Sequence, residues 1–168
     1  MARLYIFCGF PFAGKTTLAK ILEQQLGFIR IDLDQINTML WQRGPRSSEE
    51  WERTYAESYR QLGEALEAGH SVLYDATNFT LAQREYLRGI AAAYHRPAQV
   101  IYVALSESEA RQRWLHNRLT HERYDVRDED FEHVVAHFEE PEPSEQVIRY
   151  HPSQPLDEWI HQTFFQKE

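Results

Sequence analysis

The stretch GFPFAGKTT, Gly9 to Thr17, lies between an apolar run, Leu4 to Cys8, and an amphipathic segment that opens at Lys15. It contains the spacing Gly-x-x-x-x-Gly-Lys-Thr. Glycines let the backbone turn its N–H groups towards a phosphate, the lysine reaches the terminal phosphate oxygens, and the threonine hydroxyl binds Mg²⁺. The positive end of the following helix also favours an anion. The stretch therefore predicts a site for a nucleoside triphosphate, most often ATP.

The alternative interpretation of this loop is an ordinary glycine turn. We disfavour it because the motif follows a predicted strand and opens a predicted helix, which is the setting the chemistry requires. We expect ATP and Mg²⁺ as ligands. The loop residues expected to bind them are Gly9, Phe12, Ala13, Gly14, Lys15, Thr16 and Thr17, with Lys15 also catalytic and Thr16 a metal ligand.

The remainder of the chain alternates short apolar runs with longer amphipathic segments, which is typical of an α/β fold with a parallel sheet. The predicted strands are Leu4 to Cys8, Phe28 to Ile31, Val72 to Tyr74, Ala98 to Ala104 and Val147 to Tyr150. The predicted helices are Lys15 to Leu26, Gln35 to Trp41, Ser48 to Ala68, Leu81 to Tyr94, Glu107 to Leu119, Asp128 to Phe138 and Leu156 to Phe164. Capping boxes are predicted at Ser47, Thr80 and Ser106.

Length and composition indicate one domain over residues 1–168. No apolar stretch is long enough to cross a bilayer and no signal-peptide pattern opens the chain, so we expect a cytoplasmic protein. The single cysteine, Cys8, lies in an apolar run and is expected to be buried. A net charge of −8 argues against a protein that coats long nucleic acid, although a locally basic cleft is compatible with it.

Two aspartates, Asp32 and Asp34, follow the second predicted strand, at the sheet edge where ligands of parallel sheets bind. A kinase that acts on an alcohol needs a carboxylate there to accept the hydroxyl proton. Asp34 is our preferred general base. The alternative for either residue is capping of the next helix.

The third predicted strand ends in the sequence LYDATN. Asp75 resembles the Mg²⁺-holding aspartate that ends such strands in nucleotide-binding proteins, and we expect it to be the second metal residue beside Thr16. A turn built by Asp75, Thr77 and Asn78 is the alternative, and the two interpretations are compatible. We expect Thr77 and Asn78 to contact an acceptor substrate.

Arginines cluster at Arg111, Arg113, Arg118, Arg123 and Arg127, against the acidic background. We interpret residues 111–128 as a helical lid that closes on the triphosphate and neutralises transition-state charge. A solvated helix face with Glu/Arg pairs is the alternative. Arg118 and Arg123 are the candidate catalytic arginines, and Arg113 and Arg118 the candidate nucleotide contacts.

Two further patterns have weaker signals. Trp41, Trp51, Tyr55 and Tyr59 either form an acceptor-binding face or, as we prefer, pack in the core at helical spacing. His133 and His137 are four residues apart, a spacing that can bind metal, but they match no zinc signature and are expected to have a surface or core role.

The order GFPFAGKTT, an aspartate after the second strand, LYDATN and an arginine-rich segment ending in FEEP resembles the small P-loop kinases related to phage polynucleotide 5′-kinase, zeta toxins and chloramphenicol phosphotransferase. The resemblance covers about Leu4 to Pro141. It implies a nucleoside-kinase-like, three-layer P-loop fold with strand order 2-3-1-4-5, ATP and Mg²⁺ bound by Lys15 and Thr16, Asp34 as base, and lid arginines at Arg113 and Arg118.

One residue departs from the polynucleotide kinase pattern. Three positions after the base, where that enzyme has an arginine that grips the acceptor's phosphate, this chain has Asn37. A nucleic-acid acceptor stays open but is not favoured, and Asn37 is expected to contact the acceptor together with Asp34.

The sequence therefore predicts an ATP-dependent kinase that transfers a phosphoryl group to a hydroxyl of a small molecule or of a nucleotide or polynucleotide 5′ end. The alternative from another class is an ATPase or nucleotide-dependent switch that acts through a protein partner. The identity of the acceptor and the oligomeric state do not follow from these motifs.

Overall fold

A computed structural model describes residues 1–42 and 47–166. Its sheet has five strands in the order β2-β3-β1-β4-β5, and every neighbouring pair is parallel. The strands are β1 (Leu4–Cys8), β2 (Ile29–Asp32), β3 (Val72–Asp75), β4 (Ala98–Val103) and β5 (Val147–Tyr150). The predicted α/β class and strand order are confirmed.

Seven α-helices lie in the described residues: α1 (Lys15–Leu26), α2 (Leu33–Trp41), α3 (Ser48–Glu67), α4 (Leu81–Ala93), α5 (Glu107–Thr120), α6 (Asp128–His137) and α7 (Leu156–Ile160). A 3₁₀ turn spans Pro143–Glu145, and a π-helical turn, His161–Phe165, follows α7. Capping boxes at Ser47, Thr80 and Ser106 open α3, α4 and α5, as predicted. No helix in the described part of the chain has both the length and the apolar character needed to cross a membrane.

Alternating strand residues build the two cores, because successive side chains of a strand point to opposite faces. On one face Tyr5 and Phe7 of β1 pack with side chains of α1, α5, α6 and α7. On the other face Leu4, Ile6 and Cys8 pack with α2, α3 and α4. Cys8 is fully buried, as expected. The sheet is thus the middle of three layers, and its carboxyl edge is left for the loops that carry the site.

The 3₁₀ turn Pro143–Glu145 is tied to α4 by a buried ion pair that joins two distant segments. Arg84 Nε lies 2.7 Å from Glu145 Oε2 and Arg84 Nη2 lies 3.0 Å from Glu145 Oε1. The side chains are 1% and 3% exposed. Arg84 also donates to the carbonyl of Asn78. The pair therefore fixes the turn after β3, which borders the site, against the segment that leads into β5.

We expect Glu145→Ala to lower the free energy of unfolding by about 3–5 kcal/mol, because it leaves the Arg84 guanidinium buried without its partner. The matched control is Glu140→Ala, which breaks an exposed pair with Arg149 and should cost at most about 1 kcal/mol. Urea unfolding of both variants measures the difference. Equal losses for the two variants would contradict a structural role for the buried pair.

Candidate functional site

The glycine loop lies between β1 and α1 with a backbone that side chains rarely adopt. Gly9 has φ +156°, and a Cβ there would lie 2.9 Å from the carbonyl oxygen of Val103. Gly14 has φ +102°, and Phe12 is in the left-handed region with φ +65°. Positive φ at a bulky residue stores strain that surrounding structure must offset. The loop is therefore held in a special shape at the N-terminus of α1, where an anion would bind.

Lys15 is folded back over this loop. Its Nζ donates to the carbonyls of Gly9, at 3.0 Å, and Phe10, at 2.7 Å, and the side chain is buried. Burial lowers the pKa of Lys15 to about 8, against opposing contributions from the charges of Asp75 and Asp34. The ammonium group is thus positioned at the loop by two carbonyls that a bound phosphate would replace.

The lowered pKa of Lys15 predicts a pH dependence for nucleotide binding. A phosphate favours the charged amine, so ATP affinity should weaken as pH rises above about 8, and ATP binding should take up a proton there. Calorimetry of ATP binding in buffers of different ionisation enthalpy measures that proton. Lys15→Arg, which stays charged at these pH values, is the control and should lack the uptake; the same uptake in that variant would exclude Lys15 as its source.

Thr16 and Asp75 meet at the carboxyl edge of the sheet. Burial and the charge of Asp32 raise the pKa of Asp75 to about 6, while the neighbouring Lys15, Thr16 and Arg30 lower it. Asp75 is 4% exposed. A hydroxyl beside a carboxylate suits Mg²⁺, which takes few protein ligands and completes its shell with phosphate oxygens and water. The described residues include no cluster of three or more His, Cys, Asp or Glu side chains that could hold a metal by themselves.

Asp32 and Asp34 have different roles in the structure. Asp32 is the N-cap of α2, and its Oδ1 accepts from the backbone N–H groups of Asp34, at 3.0 Å, and Gln35, at 3.1 Å. Its other oxygen pairs with Arg30. Helix α2 therefore begins at Leu33, two residues before the predicted start. The capping alternative belongs to Asp32, and the carboxylate of Asp34 makes no hydrogen bond within the described residues.

Asp34 is electrostatically part of the loop site. Partial desolvation raises the pKa of Asp34, the charge of Asp32 raises it further, and Lys15 lowers it. The pKa of Tyr55 on α3 is raised mainly by burial, and the charge of the Asp34 carboxylate raises it further. Asp34 therefore interacts electrostatically with both Lys15 of the glycine loop and Tyr55 of α3, at the sheet edge where an acceptor would approach.

Asn37, Thr77 and Asn78 are placed differently from one another. Asn37 is 5% exposed, and its buried Oδ1 has no hydrogen-bond partner in the part of the chain that the structure describes. The backbone carbonyl of Thr77 accepts a hydrogen bond from the N–H of Gly9. Asn78 is also buried, and its amide donates to the carbonyl of Phe7 at 2.8 Å. That amide is already committed to holding the turn on β1, so this placement does not support the predicted substrate contact of Asn78.

The arginines of α5 and of the segment that follows it, which we predicted to form a lid, have two kinds of partner. Arg113 of α5 reaches the carbonyls of Phe12 and Ala13, both at 3.4 Å, and Arg123 donates to the Thr17 hydroxyl at 3.0 Å. Arg118 instead pairs with Asp125 and Asp128 and stacks on Trp114. Helix α5 extends one residue beyond the predicted end, and residues 121–127 join it to α6. A role for Arg118 at the nucleotide requires it to exchange these acidic partners.

An open cavity of about 480 Å³ lies between the glycine loop and α5. It is lined by Phe12, Leu105, Arg113, His116, Asn117 and Arg123, among others. Of the loop residues Phe12 lines it, together with the two arginines that contact the loop, so the cavity adjoins the loop on the α5 side.

Arg30 is the site residue that sequence reasoning missed. It lies on β2, is 10% exposed, and pairs with Glu23, Asp32 and Asp75. It offsets the charge of two neighbouring carboxylates at the sheet edge. The available signal was an arginine between the two isoleucines of the strand IRID, since a charge in a strand of the sheet requires a partner when it is buried.

The aromatic residues of α3 also differ from the core packing that we preferred. Trp51 is 39% exposed, and Tyr55 and Tyr59 are half-buried. Trp41 donates from its Nε1 to the Thr54 hydroxyl at 2.9 Å, which fixes the end of α2 on α3. His133 and His137 are exposed, with ring centroids 4.4 Å apart, as a surface role predicts.

Comparison with solved structures shows the same fold in several proteins. A candidate kinase from Chloroflexus aurantiacus has a TM-score of 0.73 at 19% identity, covering 96% of this chain and 94% of that one. A gluconokinase from Sinorhizobium meliloti has a TM-score of 0.65 at 17% identity, covering 95% and 87%. The APS kinase of Mycobacterium tuberculosis, in complex with AMPPNP and APS, has a TM-score of 0.66 at 18% identity, covering 96% and 94%. No curated protein sequence matches the chain.

A family model described as AAA domain matches residues 4–141. The match begins at β1 and ends after α6. It includes the glycine loop, the aspartates at the ends of β2 and β3, and the arginine-bearing segment of α5. This match does not separate the polynucleotide kinase and zeta toxin group from other members of the family. The chain belongs to the AAA domain family, and within it carries a complete P-loop.

Proposed function

We propose that this protein is an ATP-dependent phosphotransferase that moves the γ-phosphoryl group of ATP to a hydroxyl group. The observation that carries the proposal is the position of Asp34, whose carboxylate has no hydrogen-bond partner in the described residues and lies within the electrostatic reach of Lys15. An enzyme that transfers phosphate to an alcohol needs both a phosphate-binding loop and a separate carboxylate for the incoming hydroxyl. The names of the similar gluconokinase and APS kinase support this class of reaction.

The nucleotide site assigns distinct roles to the loop residues. The backbone N–H groups from Gly14 to Thr17, at the N-terminus of α1, and the Lys15 ammonium group would hold the triphosphate, and Thr16 and Asp75 would hold Mg²⁺. The ion supplies neutralising charge at the phosphates when it is bound. Arg113 and Arg123 already contact the loop from the lid, so they are placed to stabilise charge that develops during transfer. Arg118 would join them only after leaving Asp125 and Asp128.

At the acceptor side, Asp34 accepts the proton of the acceptor hydroxyl and orients its oxygen for in-line attack. The new bond joins that oxygen to the γ-phosphorus as the bond to the β-phosphate oxygen breaks, and ADP leaves. Asn37 and Thr77 are the neighbouring polar residues proposed to contact the acceptor. We further propose that residues 1–168 form one domain, because a single sheet carries all five strands.

The experiment that tests this function is label transfer from γ-labelled ATP in the presence of Mg²⁺, with acceptors from several chemical classes. Acceptor-dependent labelling supports the phosphotransferase. Release of labelled inorganic phosphate at a rate that no acceptor changes would favour the ATPase or switch alternative.

A further inference from the structure

The acceptor side of the site contains a buried polar atom without a partner. Asn37 lies three residues after Asp34 on α2, so the two side chains share a helix face. Asn37 is 5% exposed, and among the described residues its Oδ1 has no hydrogen-bond partner. Leaving a buried carbonyl unpaired is unfavourable, because the group has lost its hydrogen bonds to water. Such an atom beside a reactive carboxylate indicates a position that a ligand's donor would fill.

An aromatic face lies on α3, the helix that packs against α2. It consists of Trp51, Tyr55 and Tyr59, four residues apart on α3, and Tyr86 of α4. Their ring centroids are 6.0 Å apart for Trp51 and Tyr55, 5.9 Å for Tyr55 and Tyr59, and 5.0 Å for Tyr59 and Tyr86. Trp51 and Tyr86 are 39% and 58% exposed. The face therefore offers a continuous, partly open surface of rings.

The aromatic face reaches the catalytic edge through Tyr55. The charge of Asp34 acts on the Tyr55 hydroxyl, and Trp41 ties α2 to α3 at Thr54, between Trp51 and Tyr55 in sequence. The Tyr55 ring makes ring contacts on both sides, but its hydroxyl has no hydrogen-bond partner in the described residues. A ligand lying on this face would thus have its edge at Asp34 and Asn37.

Resting on the proposed kinase function, we propose that the acceptor is an uncharged cyclic polyol of monosaccharide type, which lies on the aromatic face and donates hydroxyl hydrogens to Asp34 and Asn37 Oδ1. A carboxylate and a carbonyl oxygen can only accept, so they select hydroxyl donors and disfavour anions. Aromatic side chains supply flat apolar area for the C–H face of a ring, while a few polar atoms set its orientation.

Two variants test the contacts with readouts that a structural role would not give. Trp51→Ala should raise the acceptor KM by about tenfold or more and leave the ATP KM within about twofold, and Trp51→Phe should recover most of the loss. Asn37→Leu should keep or raise the melting temperature, because it removes an unpaired polar group, yet lower kcat/KM for the acceptor by about tenfold or more. Phe165→Ala, which removes an exposed ring of the π-helical turn, is the control.

The decisive panel contains γ-labelled ATP with pentoses, hexoses and inositol, and, in separate reactions, nucleosides, sugar phosphates and 5′-hydroxyl oligonucleotides. Label on the cyclic polyols, with the two variant effects above, is the expected result. Label only on another class, or polyol transfer that neither variant changes, overturns this inference and leaves the kinase standing. Hydrolysis of ATP without transfer to any acceptor overturns the kinase function and the inference together.

Discussion

Asp34→Asn is expected to lower kcat for phosphoryl transfer by about 10²- to 10⁴-fold while ATP affinity stays within about twofold. The amide keeps the size of the side chain but no longer accepts the hydroxyl proton. Since the Asp34 carboxylate makes no hydrogen bond within the described residues and is not the cap of α2, the fold should tolerate the change. Initial rates of acceptor labelling, together with calorimetric ATP titrations, separate the two effects.

Asp32→Asn is the matched control for that experiment. Asn caps helices about as well as Asp, so α2 should keep its N-terminus, although the pair with Arg30 is weakened. Transfer should fall by less than about tenfold if Asp32 acts only as cap and counter-charge. A larger loss in Asp32→Asn than in Asp34→Asn would reassign the base to Asp32.

Lys15→Met is expected to reduce ATP-dependent transfer by about 10²- to 10³-fold or more, because it removes a charged donor from the phosphates in a water-poor site. Methionine keeps an unbranched, apolar side chain in the buried position. Unlike Asp34→Asn, this variant should also weaken ATP binding, measured by the same titration. Lys20→Ala, which changes an exposed lysine of the same helix, should leave binding and transfer unchanged. Equal ATP affinity in Lys15→Met and the unaltered protein would contradict the role of Lys15.

Sequence patterns predicted the sheet and most helices because the signals that specify them are local. Strands β1 and β5 have the predicted limits, and β2 ends one residue later than expected, at Asp32. The three capping boxes depend on residues only three apart, which a sequence displays directly. The last helix is the main difference: the predicted helix Leu156 to Phe164 is an α-helix over Leu156–Ile160 that continues as a π-helical turn over His161–Phe165, a change that no local sequence motif marks.

The parts of the site that sequence could not predict depend on long-range pairing. Arg30 meets Asp75 from a position 45 residues away, and Arg84 meets Glu145 across 61 residues. Neither pairing has a spacing rule. The orphaned oxygen of Asn37 is likewise a property of its packed surroundings, although Asn37 itself was identified by its distance from Asp34. The hydrogen bond of the Asn78 amide to the Phe7 carbonyl, which does not support the predicted substrate contact, is likewise visible only in the folded turn.

The partners of the clustered arginines could not be predicted from the sequence either. Their cluster is evident in the sequence, but their partners are not: Arg118 stacks on Trp114 and faces two aspartates, whereas Arg113 and Arg123 contact the glycine loop. Arginines that look alike in the sequence therefore differ in the folded protein, because the fold places different acidic and backbone groups beside each of them.

The most direct test of the central claim follows the fate of the γ-phosphoryl group in a single turnover, with the protein in excess over labelled Mg²⁺–ATP and an acceptor present. The account predicts that the unaltered protein transfers the label to an acceptor hydroxyl. It predicts that the Asp34→Asn variant binds ATP but leaves the label on the ATP. Label that appears only as inorganic phosphate, at the same rate in both proteins, would contradict it.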